Sequence, residues 1–224
     1  LLVMKYIKEY SATLYMEILQ NMNKSAVVTG CWGFIGNHLT KKLLQEGWFI
    51  YGIDKYTHVS NTDQLQYFSE NFPGKYEFIE EDITKIKRIP QCDVVFNLAA
   101  ESHVENSFKN SSKFIKSNID GVRNLLEIID CTLSSYDKPL FFQISTDEVY
   151  GDIENGQFDE QSPLNPSNPY AATKAAADLL IQSWARTHGL EYIIARPSNN
   201  YGIFQYHEKL IPLAVKRLKE DKLI

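Results

Sequence analysis

The chain has 224 residues, 44% hydrophobic and 23% charged, a composition that excludes a disordered chain, a collagen and a disulfide-stapled miniprotein. Its formal net charge of −5 argues against nucleic acid as the main partner, because phosphate backbones require clustered cations. The three cysteines fit no zinc spacing, and no apolar run approaches the ~20 residues that span a bilayer, so we expect a cytoplasmic protein with no metal site and no membrane partner.

Residues 1–23 are predicted to form an extension ahead of the domain. Charges at Lys5 and Lys8 interrupt the apolar core that a signal peptide would need. Apolar residues recur there at helical spacing. We therefore expect a helical or frayed segment, with the native start at Met4 or Met22.

From residue 24 onward, strand and helix signals alternate. The predicted strands cover residues 26–29, 49–53, 76–79, 94–98, 140–144 and 192–195. Helices are predicted around Leu39, Leu43 and Leu44, over residues 63–72 and over residues 170–187. A further long helix is predicted between the fourth and fifth strands, with one apolar face formed by Ile115, Ile119, Val122, Leu126 and Ile129.

Apolar strands that alternate with amphipathic helices indicate a parallel sheet covered on both faces. The predicted fold class is α/β, a doubly wound Rossmann-type sheet whose ligand crevice lies at the carboxyl ends of the strands. We assign residues 24–203 to this domain and residues 204–224 to the start of a substrate-binding region. The substrate domain is expected to be largely missing from the chain.

The first predicted strand runs into a glycine loop with the pattern G-x-x-G-x-x-G, formed by Gly30, Gly33 and Gly36. Such glycines let backbone N–H groups approach a pyrophosphate at the start of a helix. Asp54 ends the next strand, where a carboxylate accepts the ribose hydroxyls of an adenosine and repels a 2′-phosphate. The pattern therefore favours NAD over NADP.

Two further strand ends are candidates for the same cofactor. Asp82 and Ile83 follow the third strand, where an adenine edge would lie; alternatively, Asp82 only caps a short helix. Leu98, Ala99 and Ala100 end the fourth strand, and the small side chains among them let a cofactor pass close to the backbone.

The fifth strand ends in Thr146, Asp147 and Glu148, a hydroxyl beside two carboxylates. A solvated acidic turn is the alternative interpretation. Tyr170 and Lys174 follow at i and i+4 on one helix face. Lowering a phenol pKa from about 10 to near 7 requires about 4 kcal/mol, which the Lys174 ammonium and an oxidised nicotinamide together would supply.

These motifs resemble the nucleoside-diphosphate-glucose 4,6-dehydratases, of the dTDP-glucose 4,6-dehydratase type, in the extended short-chain dehydrogenase/reductase superfamily. The resemblance covers residues 24–215. Its longest stretches are residues 97–104, 145–151, 196–202 and 208–212. The chain departs from the family pattern at Cys31 and Trp32, where a Gly-Ala pair is usual.

The resemblance implies a bound NAD and a nucleotide-sugar substrate. The cofactor-binding residues that it implies, together with those already named, are Gly30, Gly33, Phe34, Ile35, Gly36, Asp54, Lys55, Asp82, Ile83, Leu98, Ala99, Ala100, Ser117, Tyr170, Lys174 and Asn200. The substrate-binding residues that it implies are Ser102, Thr146, Asn199, Lys209 and Leu210.

The resemblance also implies a mechanism. Tyr170 removes the proton of the C4 hydroxyl, Thr146 hydrogen-bonds that oxygen and Lys174 holds the phenolate and the nicotinamide ribose. Glu148 removes the C5 proton, and Asp147 protonates the C6 hydroxyl as it leaves. The product is a 4-keto-6-deoxy sugar.

Two alternatives remain open at this point. One is a catalytically silent or truncated NAD-binding paralogue, and the other is a nucleotide-sugar 4-epimerase or decarboxylase. The resemblance further implies a homodimer, and the small side chains of Ala172, Ala175 and Ala176 permit close helix packing.

Overall fold

Six parallel strands form one sheet in the computed structural model, which describes residues 25–57, 59–132 and 138–220. The strands are β1 (Ser25–Thr29), β2 (Phe49–Asp54), β3 (Tyr76–Glu80), β4 (Val94–Asn97), β5 (Leu140–Ile144) and β6 (Tyr192–Ala195). Their order across the sheet is β3-β2-β1-β4-β5-β6. This is the predicted doubly wound arrangement, and its crevice opens between β1 and β4, where the winding reverses.

The helices connect these strands. They are α1 (Phe34–Gln45), α2 (Asp63–Asn71), α3 (Val104–Lys109), α4 (Ser111–Phe114), α5 (Gly121–Thr132), α6 (Pro169–His188) and α7 (Leu210–Lys219). A π-helical segment (Ile115–Asp120) joins α4 to α5, and a 3₁₀ turn (Asp147–Tyr150) follows β5. The predicted amino-terminal extension lies outside the described residues.

The core lies on both faces of the sheet. Val27 and Val95 pair across β1 and β4 and pack against α5 and α6 on one face. Ala26 and Val94 pair in the same two strands and pack on the other face with Phe68 of α2. Successive strand residues point to opposite faces, so strands covered on both sides need apolar side chains at nearly every position.

The prediction of one long apolar helix face from residue 115 is wrong at its beginning. Ile115 is 46% exposed, whereas Phe114 and Ser117 are buried. A π turn holds more residues than an α turn, so the π-helical segment rotates the inward face relative to the 3.6-residue pattern. From Val122 to Ile129 the α-helical pattern holds, and both of these residues are buried.

Local sequence signals determine where α6 begins and ends. The Asn168 side chain accepts a hydrogen bond from the Ala171 N–H at 2.8 Å, and Pro169 occupies the first helical position. Both features are favoured at helix starts. Gly189 ends the helix in the left-handed conformation, with φ of 67°. Tyr170 and Lys174 therefore lie in the first two turns, next to the carboxyl end of β5.

Candidate active site

The glycine loop between β1 and α1 leaves no room for side chains. Gly30 has φ of +68°, and a Cβ there would come within 2.8 Å of the Ala99 backbone nitrogen. A Cβ on Gly36 would overlap the carbonyl oxygen of Gly30. The loop therefore brings backbone N–H groups and the positive end of α1 directly to the crevice, an arrangement that binds anions.

Trp32, the bulky residue inside this loop, does not enter the crevice. Its side chain is fully buried and stacks on Phe78, with ring centroids 3.9 Å apart and an interplanar angle of 15°. It packs on the apolar core beside α1 and α2. The departure from the family pattern at Cys31 and Trp32 therefore adds core volume below the loop and leaves its open side unobstructed.

Asp54 lies at the carboxyl end of β2 and faces the loop. Its carboxylate accepts hydrogen bonds from the backbone N–H groups of Trp32 and Lys55, each at 2.8 Å. Burial raises the pKa of Asp54 to about 6, although both backbone hydrogen bonds and the Lys55 charge oppose that shift. The remaining lone pairs of the carboxylate are available for hydroxyl donors.

The crevice contains two adjoining cavities that share Gly30, Gly33, Leu98, Ala100 and Ser102. The first has a volume of about 350 Å³ and extends towards the ends of β2 and β3. The predicted cofactor residues that line it, beyond the shared ones, are Asp54, Lys55, Asp82, Ile83, Ala99 and Ser117.

The second cavity, of about 290 Å³, extends towards the ends of β5 and β6. The predicted site residues that line it, beyond the shared ones, are Phe34, Ile35, Gly36, Thr146, Asp147, Glu148, Tyr170, Lys174, Asn199, Asn200 and Lys209. Leu210 lines neither cavity: it begins α7 with 76% of its surface exposed. The predicted substrate contact of Leu210 stays a prediction.

The end of β5 presents both carboxylates from one turn. Thr146 caps the 3₁₀ turn by accepting a hydrogen bond from the Glu148 N–H at 3.3 Å. The Glu148 carboxylate accepts a hydrogen bond from the Asn168 amide at 2.9 Å. Asp147 is exposed. Asn168 thus holds the Glu148 carboxylate, whereas the Asp147 carboxylate, which accepts a hydrogen bond from the Thr146 hydroxyl at 3.3 Å, remains accessible from solvent.

Tyr170 and Lys174 are both buried against this turn. The Thr146 side chain acts to lower the pKa of the Tyr170 phenol. The Lys174 ammonium, 3% exposed, donates to the Ile144 carbonyl oxygen at 2.6 Å. Burial lowers the pKa of Lys174 to about 8, against the raising influence of the Asp178 carboxylate.

The expected lowering of the Tyr170 pKa is not a property of the protein alone. Burial, with the charge of Glu148 as the next cause, raises the pKa of Tyr170 to about 12, and Thr146 opposes the shift only in part. A cation four positions along a helix can be recognised in the sequence, but the desolvation of the phenol and the carboxylates close to it cannot.

Two asparagines in the site were missed by the sequence analysis. Asn168 caps α6 and also holds Glu148; the Asn-Pro pair that starts the helix is the signal that could have indicated it. Asn118, in the π-helical segment, donates to the Thr173 hydroxyl at 2.9 Å and to the Glu101 carbonyl at 3.0 Å. It joins the loop after β4 to α6, and no local signal indicates that pairing.

A buried charge network was also missed. Asp178 lies one helical turn after Lys174 and is fully buried. Its carboxylate accepts hydrogen bonds from the Ser145 hydroxyl at 3.0 Å and from Arg196 at 2.9 Å. Arg196 also donates to the Tyr150 hydroxyl at 2.7 Å. These hydrogen bonds link the end of β5, the 3₁₀ turn, α6 and the end of β6 beneath the site.

The described ranges hold no group of three or more His, Cys, Asp or Glu side chains that could bind a metal ion. Across those same residues, every helix is too short or too polar to cross a membrane.

Comparison with known proteins shows that the chain is similar to dehydratases. A family profile described as GDP-mannose 4,6 dehydratase matches residues 27–223. The dTDP-glucose 4,6-dehydratase of Haemophilus influenzae is 42% identical over 203 residues, which cover 84% of this chain and 60% of that protein. The chain spans about 60% of the length of such curated relatives.

Two solved structures are also similar to this chain. DesIV, a dTDP-glucose 4,6-dehydratase from Streptomyces venezuelae solved with NAD bound, matches with a TM-score of 0.79 and 35% identity, over 88% of this chain and 62% of that one. The UDP-glucuronic acid 4-epimerase of Bacillus cereus, in complex with UDP-glucuronic acid and NAD, matches with a TM-score of 0.80 and 28% identity, over 88% of this chain and 64% of that one.

Proposed function

The chain belongs to the GDP-mannose 4,6 dehydratase family, and we propose that it carries the cofactor-binding and catalytic residues of an NAD-dependent nucleotide-sugar 4,6-dehydratase, a hydro-lyase. The proposed reaction converts a nucleoside-diphosphate-glucose, either dTDP-glucose or UDP-glucose, into the 4-keto-6-deoxy sugar. The family match and the relatives confirm the resemblance predicted from the sequence motifs.

One observation carries the proposal. Five reactive side chains, those of Thr146, Asp147, Glu148, Tyr170 and Lys174, line a single cavity that continues into the glycine loop. An oxidoreductase that only moved hydrogen at one carbon would need the hydroxyl, the phenol and the ammonium. The adjacent acid and base supply the two further proton transfers that elimination of water requires.

The first cavity fits a dinucleotide. Gly30 and Gly33 line it with main-chain atoms of the loop, and Asp54 offers carboxylate lone pairs to a ribose. These residues would hold NAD, which would supply a hydride acceptor for C4 of the sugar and a hydride donor for C6, while Glu148 would return its proton to C5. Lys174 would hold the nicotinamide ribose and Asn200 would contact the cofactor near the second cavity.

The oxidation step needs a base for the C4 hydroxyl, and Tyr170 is proposed for it. Its pKa is raised in the protein alone, so the phenolate needs added positive charge beside the ring. Lys174 lies four positions after Tyr170 on α6, and its ammonium is one source of that positive charge. The Thr146 hydroxyl, which donates to the Asp147 carboxylate at 3.3 Å, would instead hydrogen-bond the C4 oxygen when substrate is present.

The elimination step uses the carboxylate pair. A C4 ketone acidifies the neighbouring C5–H bond, and Glu148, held by Asn168 at 2.9 Å, would remove that proton. Asp147 would donate a proton to the C6 hydroxyl, so that one water leaves and a double bond forms between C5 and C6. Two adjacent carboxyl groups disfavour simultaneous ionisation, which suits one acid and one base.

Substrate contacts are proposed at Ser102, Asn199 and Lys209. The Lys209 ammonium donates to the Ser102 carbonyl oxygen at 2.9 Å, so the two residues form one polar corner of the second cavity. Burial lowers the pKa of Lys209, and the charges of Glu208 and Glu148 act against that shift. A cation in this corner suits a sugar diphosphate.

We further propose a cytoplasmic homodimer.

The 4-epimerase alternative rests on the similarity to the UDP-glucuronic acid 4-epimerase structure. An epimerase reduces its ketone again at C4 and needs no acid–base pair for C5 and C6. The second alternative is a silent NAD-binding protein.

Product mass separates these possibilities. The full-length protein is incubated with NAD and either dTDP-glucose or UDP-glucose, and the products are examined by mass spectrometry. Dehydration predicts the loss of one water with all carbons retained. An unchanged mass with altered stereochemistry would indicate an epimerase, and untouched substrate from both sugars would indicate a silent module.

A further inference from the structure

A compact charge cluster lies at the carboxyl ends of β2 and β3, at the far end of the first cavity. The Lys55 ammonium binds the Asp82 carboxylate at 3.0 Å. The Lys55 backbone N–H donates to the Asp54 carboxylate at 2.8 Å, so the Lys55 side chain starts next to the carboxylate proposed to hold the ribose. All three residues line the cavity.

The ion pair is partly shielded from solvent. The side chains of Lys55 and Asp82 are 39% and 19% exposed. Burial alone would raise the pKa of Asp82, but hydrogen bonds from Thr84 and Lys55 lower it overall. Asp82 is therefore ionised at neutral pH and holds the ammonium in place.

We propose that the Lys55–Asp82 ion pair determines cofactor selectivity, because it directs the Lys55 ammonium away from the position where a ribose 2′-phosphate would lie. This inference rests on the proposed binding of NAD in the first cavity. With Lys55 bound to Asp82, a 2′-phosphate would meet the uncompensated carboxylate of Asp54. A 2′-hydroxyl, in contrast, donates to that carboxylate.

The charges around this end of the cavity support the inference. Glu81 also lines it, beside Asp54, Lys55 and Asp82, so acidic residues outnumber Lys55 in this stretch of the lining. A nearby basic residue is what accommodates the 2′-phosphate in NADP-binding sheets of this type. Lys55 is positioned to act in that way, and Asp82 prevents it.

Asp82 also caps the turn after β3, through the oxygen that does not bind Lys55. Its second oxygen accepts a hydrogen bond from the Thr84 N–H at 3.0 Å, and an asparagine retains an oxygen for that bond. Asp82→Asn therefore removes the charge that holds Lys55 while keeping the turn. Lys55→Gln removes the ammonium and leaves both aspartates.

The test measures dissociation constants of NAD and NADP by calorimetry on the unmodified protein and its variants. For Asp82→Asn we expect NADP binding to tighten about fivefold, the size of a partly exposed charge interaction, with NAD binding changed less than about twofold. For Lys55→Gln we expect NADP binding to weaken, because the Asp82 carboxylate is then left without its counter-ion and repels a 2′-phosphate, so the two variants shift selectivity in opposite directions. The matched control is Glu127→Gln, which breaks the exposed Arg123–Glu127 pair of 2.7 Å on α5 and should leave both constants unchanged.

The outcomes separate this inference from the proposed function. If the unmodified protein binds NAD but both variants leave the ratio of the two constants unchanged, the selectivity role is overturned and the proposed function stands. Absence of NAD binding to the unmodified protein would overturn both. Should Asp82→Asn unfold, as judged by circular dichroism, Lys55→Gln decides alone: an unchanged ratio in that variant contradicts the inference, and a further preference for NAD supports it.

Discussion

The two cavities are built in different ways. At the ends of β1 and β2, the first is lined by the glycine loop and by Asp54, which is held by two main-chain N–H groups. The reactive end of the second is lined by side chains from separate segments, and burial shifts the pKa values of Tyr170 and Lys174 within it. Main-chain groups therefore shape the glycine-loop end of the first cavity, whereas the second depends on side chains that long-range packing brings together.

The comparison predicts that changes in the second cavity act mainly on reaction rate, and changes in the first act mainly on folding and binding. The substitutions below test that division, beginning with the largest expected effect.

Glu148→Gln removes the proposed base for C5 while keeping the size of the side chain. We expect dehydration to slow about 10³-fold, within the range for loss of a general base, while oxidation at C4 continues. Reduced cofactor should therefore accumulate, measured by its ultraviolet absorbance in the full-length protein. Glu154→Gln, at an exposed position, is the control, and a normal dehydration rate in Glu148→Gln would remove Glu148 from the mechanism.

Gly30→Ala, at φ of +68°, places a Cβ 2.8 Å from the Ala99 backbone nitrogen, which should lower the free energy of unfolding by about 3 kcal/mol and weaken NAD binding. Gly47→Ala is the matched control, because a Cβ there meets nothing within 4 Å although φ is +86°. It should cost only about 1 kcal/mol for the left-handed backbone. Denaturant unfolding measures both variants; equal losses would show that the loop is less tightly packed than described.

Asn168→Ala removes two hydrogen bonds, to Glu148 and to the start of α6. We expect a rate loss of about tenfold from the freed carboxylate and a stability loss of about 1 kcal/mol from the missing cap. Asn168→Ser keeps a capping oxygen but loses the amide donor to Glu148. The Ser variant should have nearly the unfolding free energy of the unmodified protein but the slow dehydration rate of Asn168→Ala. If both the unfolding free energy and the rate returned to normal, the role of Asn168 in holding Glu148 would be contradicted.

Lys174→Met removes a buried ammonium whose folded-state pKa is about 8, below its ordinary value of 10.5. Between pH 8 and 9 the unfolded chain holds this proton more tightly than the folded one, so Lys174 makes the unfolding free energy rise with pH, by up to about 1 kcal/mol per unit. In Lys174→Met, this rise of the unfolding free energy with pH should be absent, as measured by denaturant unfolding at pH 8 and pH 9.

The Lys174→Met comparison needs controls for other groups. Burial raises the pKa of the Cys31 and Cys92 thiols, which lowers stability above pH 9 in both proteins alike and cancels in the difference. Lys216→Met, at an exposed position, should leave the pH dependence unchanged. Identical slopes in Lys174→Met and the unmodified protein would mean that the ammonium is hydrated.

Much of the cofactor half could be predicted because its signals are local. The six strands, the glycine loop and Asp54 at the end of β2 each follow from a few neighbouring residues. The rotated face before α5 could not be predicted, since a helical pattern of 3.6 residues does not indicate where a π turn will intervene. The exposed position of Leu210 likewise depends on how α7 packs.

By itself, the sequence determined the order of the six strands, the loop that excludes side chains and the five residues proposed to be reactive. Only the tertiary structure decided their surroundings: that Trp32 packs into the core, that Asn168 holds Glu148, and that the Tyr170 pKa is raised. The physical reason is that hydrogen bonding and desolvation depend on atoms from distant parts of the chain, and local periodicity carries no information about which of them become neighbours.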